Sequence, residues 1–165
     1  QRRIFMKKEK MNDKGFSLVE LIIVIAIMAV LVVVLAPQYL KYVERSRNST
    51  DTTNATSMVT ALQVWAADPN AGEGSTKAFA KDDEIVITVN KDGATLTTDT
   101  NGAASSALTQ AAITDLTSIK CKSKTKWDTY IITGKVQADG NIKFTYSSKL
   151  NNAVPSPDEF ATAMQ

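Results

Sequence analysis

The chain has 165 residues, enough for one compact domain beside an apolar segment. Its net charge of +2 averages two unlike parts: residues 1–15 hold six basic and two acidic groups, which leaves thirteen basic and fifteen acidic groups, a net −2, for residues 16–165. That balance excludes a nucleic-acid footprint for the body of the chain, and with no histidine a metal centre of the Cys/His kind is excluded as well.

In chain order, Arg2, Arg3, Lys7, Lys8, Lys10 and Lys14 precede a long apolar run. Basic residues there hold an N-terminus in the cytoplasm, although Lys41, Arg45 and Arg47 on the far flank make the bias modest. The opening QRRIF has no initiator of its own, so Met6 or Met11 is the expected start. From Leu21 to Ala36 every residue is apolar, and between Phe16 and Ala36 the only polar side chains are Ser17 and Glu20. As a helix, this stretch of about 21 residues spans roughly 30 Å, the thickness of a bilayer core. The expectation is a membrane-crossing helix with the rest of the chain exported.

A secretory signal peptide fits poorly, because the run is too long and Ala36-Pro37 is a poor cleavage site. A plain single-pass anchor accounts for length and flanks but leaves Gly15, Glu20 and Pro37 without a role. Charge near a bilayer centre costs at least about 2.5 to 3.5 kcal/mol, so a carboxylate at Glu20 marks a function by default.

The stretch KGFSLVELIIVIAIMAVLVVVLAPQYLKY closely resembles the N-terminus of type IV prepilins, and the resemblance covers roughly residues 7–66. It is specific, because glycine, phenylalanine, glutamate and proline all fall in register with the apolar run. It implies a leader, residues 1–15, cut after Gly15 by a membrane aspartyl prepilin peptidase. It further implies N-methylation of the new terminal Phe16, an assembly role for Glu20, and a bend in the long helix at Pro37.

Cleavage creates an α-amino group at Phe16, charged below its pKa of about 8, one helical turn from Glu20. In a bundle of parallel helices Glu20 can face the amine of a neighbouring subunit, so that only correct axial register satisfies both charges. Snorkelling of Glu20 to the headgroups is the rival reading. The helix is apolar all round, so lipid or copies of itself satisfy it equally. Val and Ile dominate it, and Pro37 removes the hydrogen bond to the Val33 carbonyl, which makes Val33 to Pro37 a kinked or meltable stretch.

After Tyr39 the pattern becomes one-sided. Ala55, Met58, Val59, Leu62, Trp65 and Ala66 form a stripe at helical spacing, with Met58, Leu62 and Trp65 as head core. Between the halves, SRNSTDTTNAT reads as a solvent-facing, weakly helical stretch. Asp68-Pro69-Asn70 ends the helix near Ala67. EIVITVN, KDG and ATLTTDT make one hairpin, and WDTYIITGKV, QADGN and IKFTYSS make a second with Asp139-Gly140 at its turn. Between them, SSALTQAAITDLTS has helical spacing at Leu108, Ala112, Ile113 and Leu116.

The fold class is α+β, pilin-like: a long N-terminal helix whose first half is transmembrane or fibre core and whose second half packs on an antiparallel sheet. The domains are residues 1–15 as leader, 16–39 as anchor and assembly segment, and 40–165 as head. The loop DPNAGEGSTKAFAKDD and the tail KLNNAVPSPDEFATAMQ are expected outside, as candidate fibre surface.

A single cysteine, Cys121, cannot close an intrachain disulfide. Many members of the family close their C-terminal region with one, so Phe160 and Met164 are expected to hold the tail by packing. This departure leans toward a Gram-positive member, and Cys121 itself reads as a small buried strand residue. SKTK at Ser123 fits S-x-x-K without the companion motifs of that enzyme class, and GEGSTK lacks the ending of a phosphate loop. The sequons at Asn48 and Asn54 carry no expected use.

The resemblance implies a structural subunit, not an enzyme, with no cofactor. Its expected partners are further copies in a helical homopolymer, the prepilin peptidase, the pilus assembly machinery of the inner membrane, and the membrane before assembly; no nucleic acid is expected at the head. The expected location is the membrane first and an extracellular surface fibre afterwards. A minor pilin or pseudopilin of a type II secretion or DNA-uptake system shares this N-terminus, and a membrane-tethered binding domain is the alternative outside the family.

Overall fold

The computed structural model describes residues 15–74, 77–153 and 158–165. The leader apart from Gly15, both candidate initiators, and short pieces of the long loop and tail lie outside the described residues. Helix α1 runs from Leu18 to Ala67, 50 residues, and continues through Pro37. The described residues fall into two compact units, one ending at Leu40 and one from Lys41 to Gln165.

Among the described residues of the first unit none is buried. Every side chain from Phe16 to Leu40 is exposed, and Phe16 is 93% exposed. The Leu18–Ala67 helix contains a stretch long and apolar enough to cross a membrane.

The second unit is an α+β head. Strands β1 (Glu84–Val89), β2 (Ala94–Asp99), β3 (Thr129–Val136) and β4 (Ile142–Lys149) form one antiparallel sheet in the order β2-β1-β3-β4. The two hairpins are thus joined through β1 and β3. Alternation sends Ile85, Ile87, Val89, Tyr130, Ile132 and Val136 to one face, where they are buried with Ala55, Met58, Val59, Leu62 and Trp65 of α1 in a single core. The register between β1 and β2 shifts at Val86/Ile87, leaving Thr97 unpaired as a bulge. The first hairpin turn needs its glycine: Gly93 has φ +149, and a Cβ there would lie 2.7 Å from the Thr117 Cα.

The stretch expected as one helix through Leu116 divides in two. Helix α2 covers only Ala103–Gln110, and a separate 3₁₀ turn covers Leu116–Ser118. Ala112 sits at φ 61, its N–H donates to the Thr109 carbonyl at 3.0 Å, and the Ile113 N–H reaches the Leu108 carbonyl at 2.8 Å. This is a Schellman ending with alanine where glycine is usual. Apolar spacing alone did not reveal the stop, because Leu108 and Ile113 stay in contact with the core across it.

The tail and long loop are less external than expected. Helix α3 (Glu159–Ala163) places Phe160 fully buried, stacked on Tyr130 at 4.5 Å between ring centroids and edge-on to Trp127 at 5.2 Å. Asp158 caps α3 through the Ala161 N–H and also accepts from the Ser148 N–H and hydroxyl, the latter at 2.6 Å. In the long loop Phe79 packs against the core, Asp83 is buried, and the Lys77 carbonyl accepts from Trp65 Nε1 at 2.8 Å.

Candidate processing and assembly site

Gly15 and Phe16 lie ahead of α1 outside regular secondary structure, both exposed, and a Cβ built on Gly15 would meet nothing within 4 Å. This open backbone leaves the bond between them sterically accessible. One turn further, the Glu20 carboxylate turns back and accepts the Ser17 N–H at 2.8 Å, while the Leu21 N–H bonds the Ser17 carbonyl at 3.2 Å. Ser17 and Glu20 therefore make the reach-back half of a capping box. The signal was present as S-x-x-E ahead of an apolar run, and the apolar length overshadowed it. Within one chain Glu20 satisfies an N–H that the start of a helix leaves without a partner, and it favours that end electrostatically.

Pro37 lies inside α1. Met58 and Leu62 are fully buried and Trp65 is 4% exposed, so these three residues sit in the core of the second unit, apart in sequence from the N-terminal motif.

The stretch read as solvent-facing holds the main surprise. Asp51, in its middle, is fully buried. Its carboxylate accepts the N–H groups of Lys122 and Ser123 at 2.8 and 2.9 Å, Trp127 Nε1 at 2.9 Å, and a longer contact from the Cys121 thiol at 3.5 Å. Two turns earlier, Glu44 accepts the Ser123 hydroxyl at 2.8 Å and the N–H groups of Lys124 and Thr125 at 2.7 and 2.9 Å. Burial on its own would raise the Glu44 carboxyl, but these donors together outweigh it and hold the pKa down at about 2. Only the outer side of the stretch behaves as read: Thr50, Thr53 and Thr56 are exposed and donate to carbonyls four residues back.

Cys121 is half-buried and lies outside the strands, in the segment leading to β3. Burial pushes its thiol well above the ordinary range, and the Asp51 charge adds to the rise, which favours the protonated thiol that donates to Asp51. Ser123, the serine of the S-x-x-K match, is buried; its hydroxyl is engaged by Glu44 and also accepts the N–H groups of Lys126 and Trp127. The match is thus a hydrogen-bonded turn. Among the described residues no three His, Cys, Asp or Glu side chains are grouped to hold a metal.

Residues 10–36 match the family model described as the prokaryotic N-terminal methylation motif, the signature of type IV prepilins. Comparison with curated proteins and with solved structures finds no match. With that motif opening a long apolar helix, and a four-stranded antiparallel sheet with small helices following it, the chain carries the prepilin signature and the layout of the type IV pilin and pseudopilin class.

Proposed function

We propose that the chain is the structural subunit of a type IV pilus. In this reading prepilin peptidase cuts between Gly15 and Phe16, and Phe16 is N-methylated. Residues 16–39 then anchor the subunit in the membrane until they join the fibre core, and residues 40–165 form the head. Function is assembly and not catalysis. The observation that carries this reading is an apolar helical surface exposed on every side from Phe16 to Leu40, interrupted by the single carboxylate of Glu20.

Such a surface has two stable surroundings, lipid or other copies of itself, and transfer between them exposes little apolar area to water. Once cut, the charged amine of Phe16 and the Glu20 carboxylate lie on one turn. Glu20 has two oxygens, and only Oε2 is used by Ser17, so the carboxylate can keep its own cap and still meet a neighbour's amine. Pro37 supplies a bend or a point of local melting in this segment.

Mass spectrometry of the chain from its native membrane, with electron microscopy of the cell surface, tests the reading. The expected product begins at Phe16 and carries one added methyl group, and Gly15→Leu leaves the chain uncut. Long fibres built mainly of this chain support the pilus subunit. A scarce copy in fibres of another subunit would assign the minor pilin or pseudopilin role, and an uncut chain without fibres would assign a membrane tether.

A further inference from the structure

Residues 120–126 read Lys-Cys-Lys-Ser-Lys-Thr-Lys, and the alternation is structural. Cys121 and Ser123 turn toward Asp51 and Glu44, while Lys120, Lys122, Lys124 and Lys126 are exposed. Lys126 pairs with Glu159, and Lys120 has the Asp115 carboxylate as a neighbour. Lys122 and Lys124 have no ion-pair partner among the described residues. The segment follows α1 in a defined direction: Lys122 and Ser123 bond Asp51, then Lys124 and Thr125 bond Glu44. Its Lys124 end therefore lies beside the first turn of the second unit, where Lys41 and Arg45 are also exposed. Glu44 is four residues beyond Leu40, the end of the exposed apolar run, a chain length of at most about 14 Å.

We propose that Lys120, Lys122 and Lys124, with Lys41 and Arg45, form a docking surface for the anionic phosphate headgroups of the membrane that holds the apolar segment before assembly. This rests on the membrane residence argued under Proposed function. The buried Asp51 carboxylate and the half-buried Glu44 carboxylate hold the backbone from the helix side, so the lysines stand on a fixed turn. The covalent link to the spanning segment keeps this turn at a high effective concentration near the headgroup layer. Each lysine within a Debye length of an anionic leaflet is attracted to it. A free polyanion has no such tether, and it meets a body of net charge −2.

The test uses the full chain in nanodiscs, either of phosphatidylcholine alone or with about 30 mol % phosphatidylglycerol, with lysine acylation read by peptide mass spectrometry. Labelling of Lys41, Lys120, Lys122 and Lys124 should fall about fivefold in the anionic discs and recover in high salt, while Lys81 and Lys143, at the opposite end of the sheet, stay unchanged. Equal labelling in both discs by an inserted chain overturns the docking surface and leaves the membrane anchor intact. A chain that enters neither disc overturns both. Protection that needs two chains per disc whatever the lipid assigns the turn to a second copy, and protection only by a DNA duplex assigns it to nucleic acid; either result overturns the lipid site.

Discussion

Asp51, in the second half of α1, accepts a hydrogen bond from Trp127 Nε1 at 2.9 Å across 76 positions of sequence. With the N–H groups of Lys122 and Ser123 on the same carboxylate, this ties the segment before β3 to the long helix. Hydrogen bonds to a charged group contribute about 1.5 to 3 kcal/mol each, and donors left buried without a partner are costly. Asp51→Ala is therefore expected to destabilise the head by at least about 3 kcal/mol. Asp51→Asn should fall between, since its amide keeps one acceptor oxygen but turns an NH2 toward donors. Denaturant unfolding of a fragment starting near Leu40 measures both, and a neutral alanine variant would refute the tie.

Acid should weaken the head through Glu44. Its folded pKa, about 2, lies below the ordinary value of 4.5, so its contribution is full above about pH 4.5 and is lost as pH falls toward 2. Asp158 acts in the same direction: burial raises its carboxyl, but the Ser148 hydroxyl and the backbone N–H groups around it prevail and lower it. Glu44→Gln should lower stability at neutral pH and flatten the loss between pH 4.5 and 2. Unfolding midpoints across that window decide it, and an unchanged acid slope in the variant would count against the assignment.

Ala112 pays for its place at the end of α2 with a left-handed backbone, φ 61. An L-residue with a Cβ is disfavoured there by about 1 to 2 kcal/mol relative to glycine, although glycine also loosens the unfolded chain. Ala112→Gly should stabilise the head by about 0.5 to 1 kcal/mol, seen as a raised unfolding midpoint. A destabilised variant would show that α2 does not end in this motif.

Trp65 joins burial to a specific bond, its Nε1 donating to the Lys77 carbonyl at 2.8 Å. Trp65→Ala should cost about 3 to 5 kcal/mol, the range for removing a large buried aromatic. Trp65→Phe, which keeps much of the volume but strands the Lys77 carbonyl, should cost less. Equal losses would place the whole effect in the hydrogen bond.

Under the proposed function, Glu20 is expected to separate assembly from membrane residence. Glu20→Leu should insert and be cut normally, because loss of a charge eases membrane residence. Fibres should nevertheless become rare, since the buried amine of Phe16 would lack its carboxylate at about 3 to 5 kcal/mol per docking event. Glu20→Asp should be intermediate. Surface fibres are counted at equal membrane levels of cut subunit; abundant wild-type-like fibres from the leucine variant would leave Glu20 as a helix cap and no more.

The sequence by itself determined every feature that depends on near neighbours. The apolar run through Ala36, the end of α1 before Asp68-Pro69, and the two hairpins about their glycine turns follow from local backbone preference and from periods of 3.6 and 2. Tertiary structure alone decided the rest. Polar residues rich in side-chain oxygen read as solvated until their donors are known, and the donors to Asp51 and Glu44 lie 70 to 81 positions away. A trace was there: the stripe from Ala55, carried back by four residues and then seven more, passes through Asp51 and Glu44. Hydropathy assigns such a face to water. Only a folded neighbour offering N–H groups at those two heights makes a carboxylate the right residue for it.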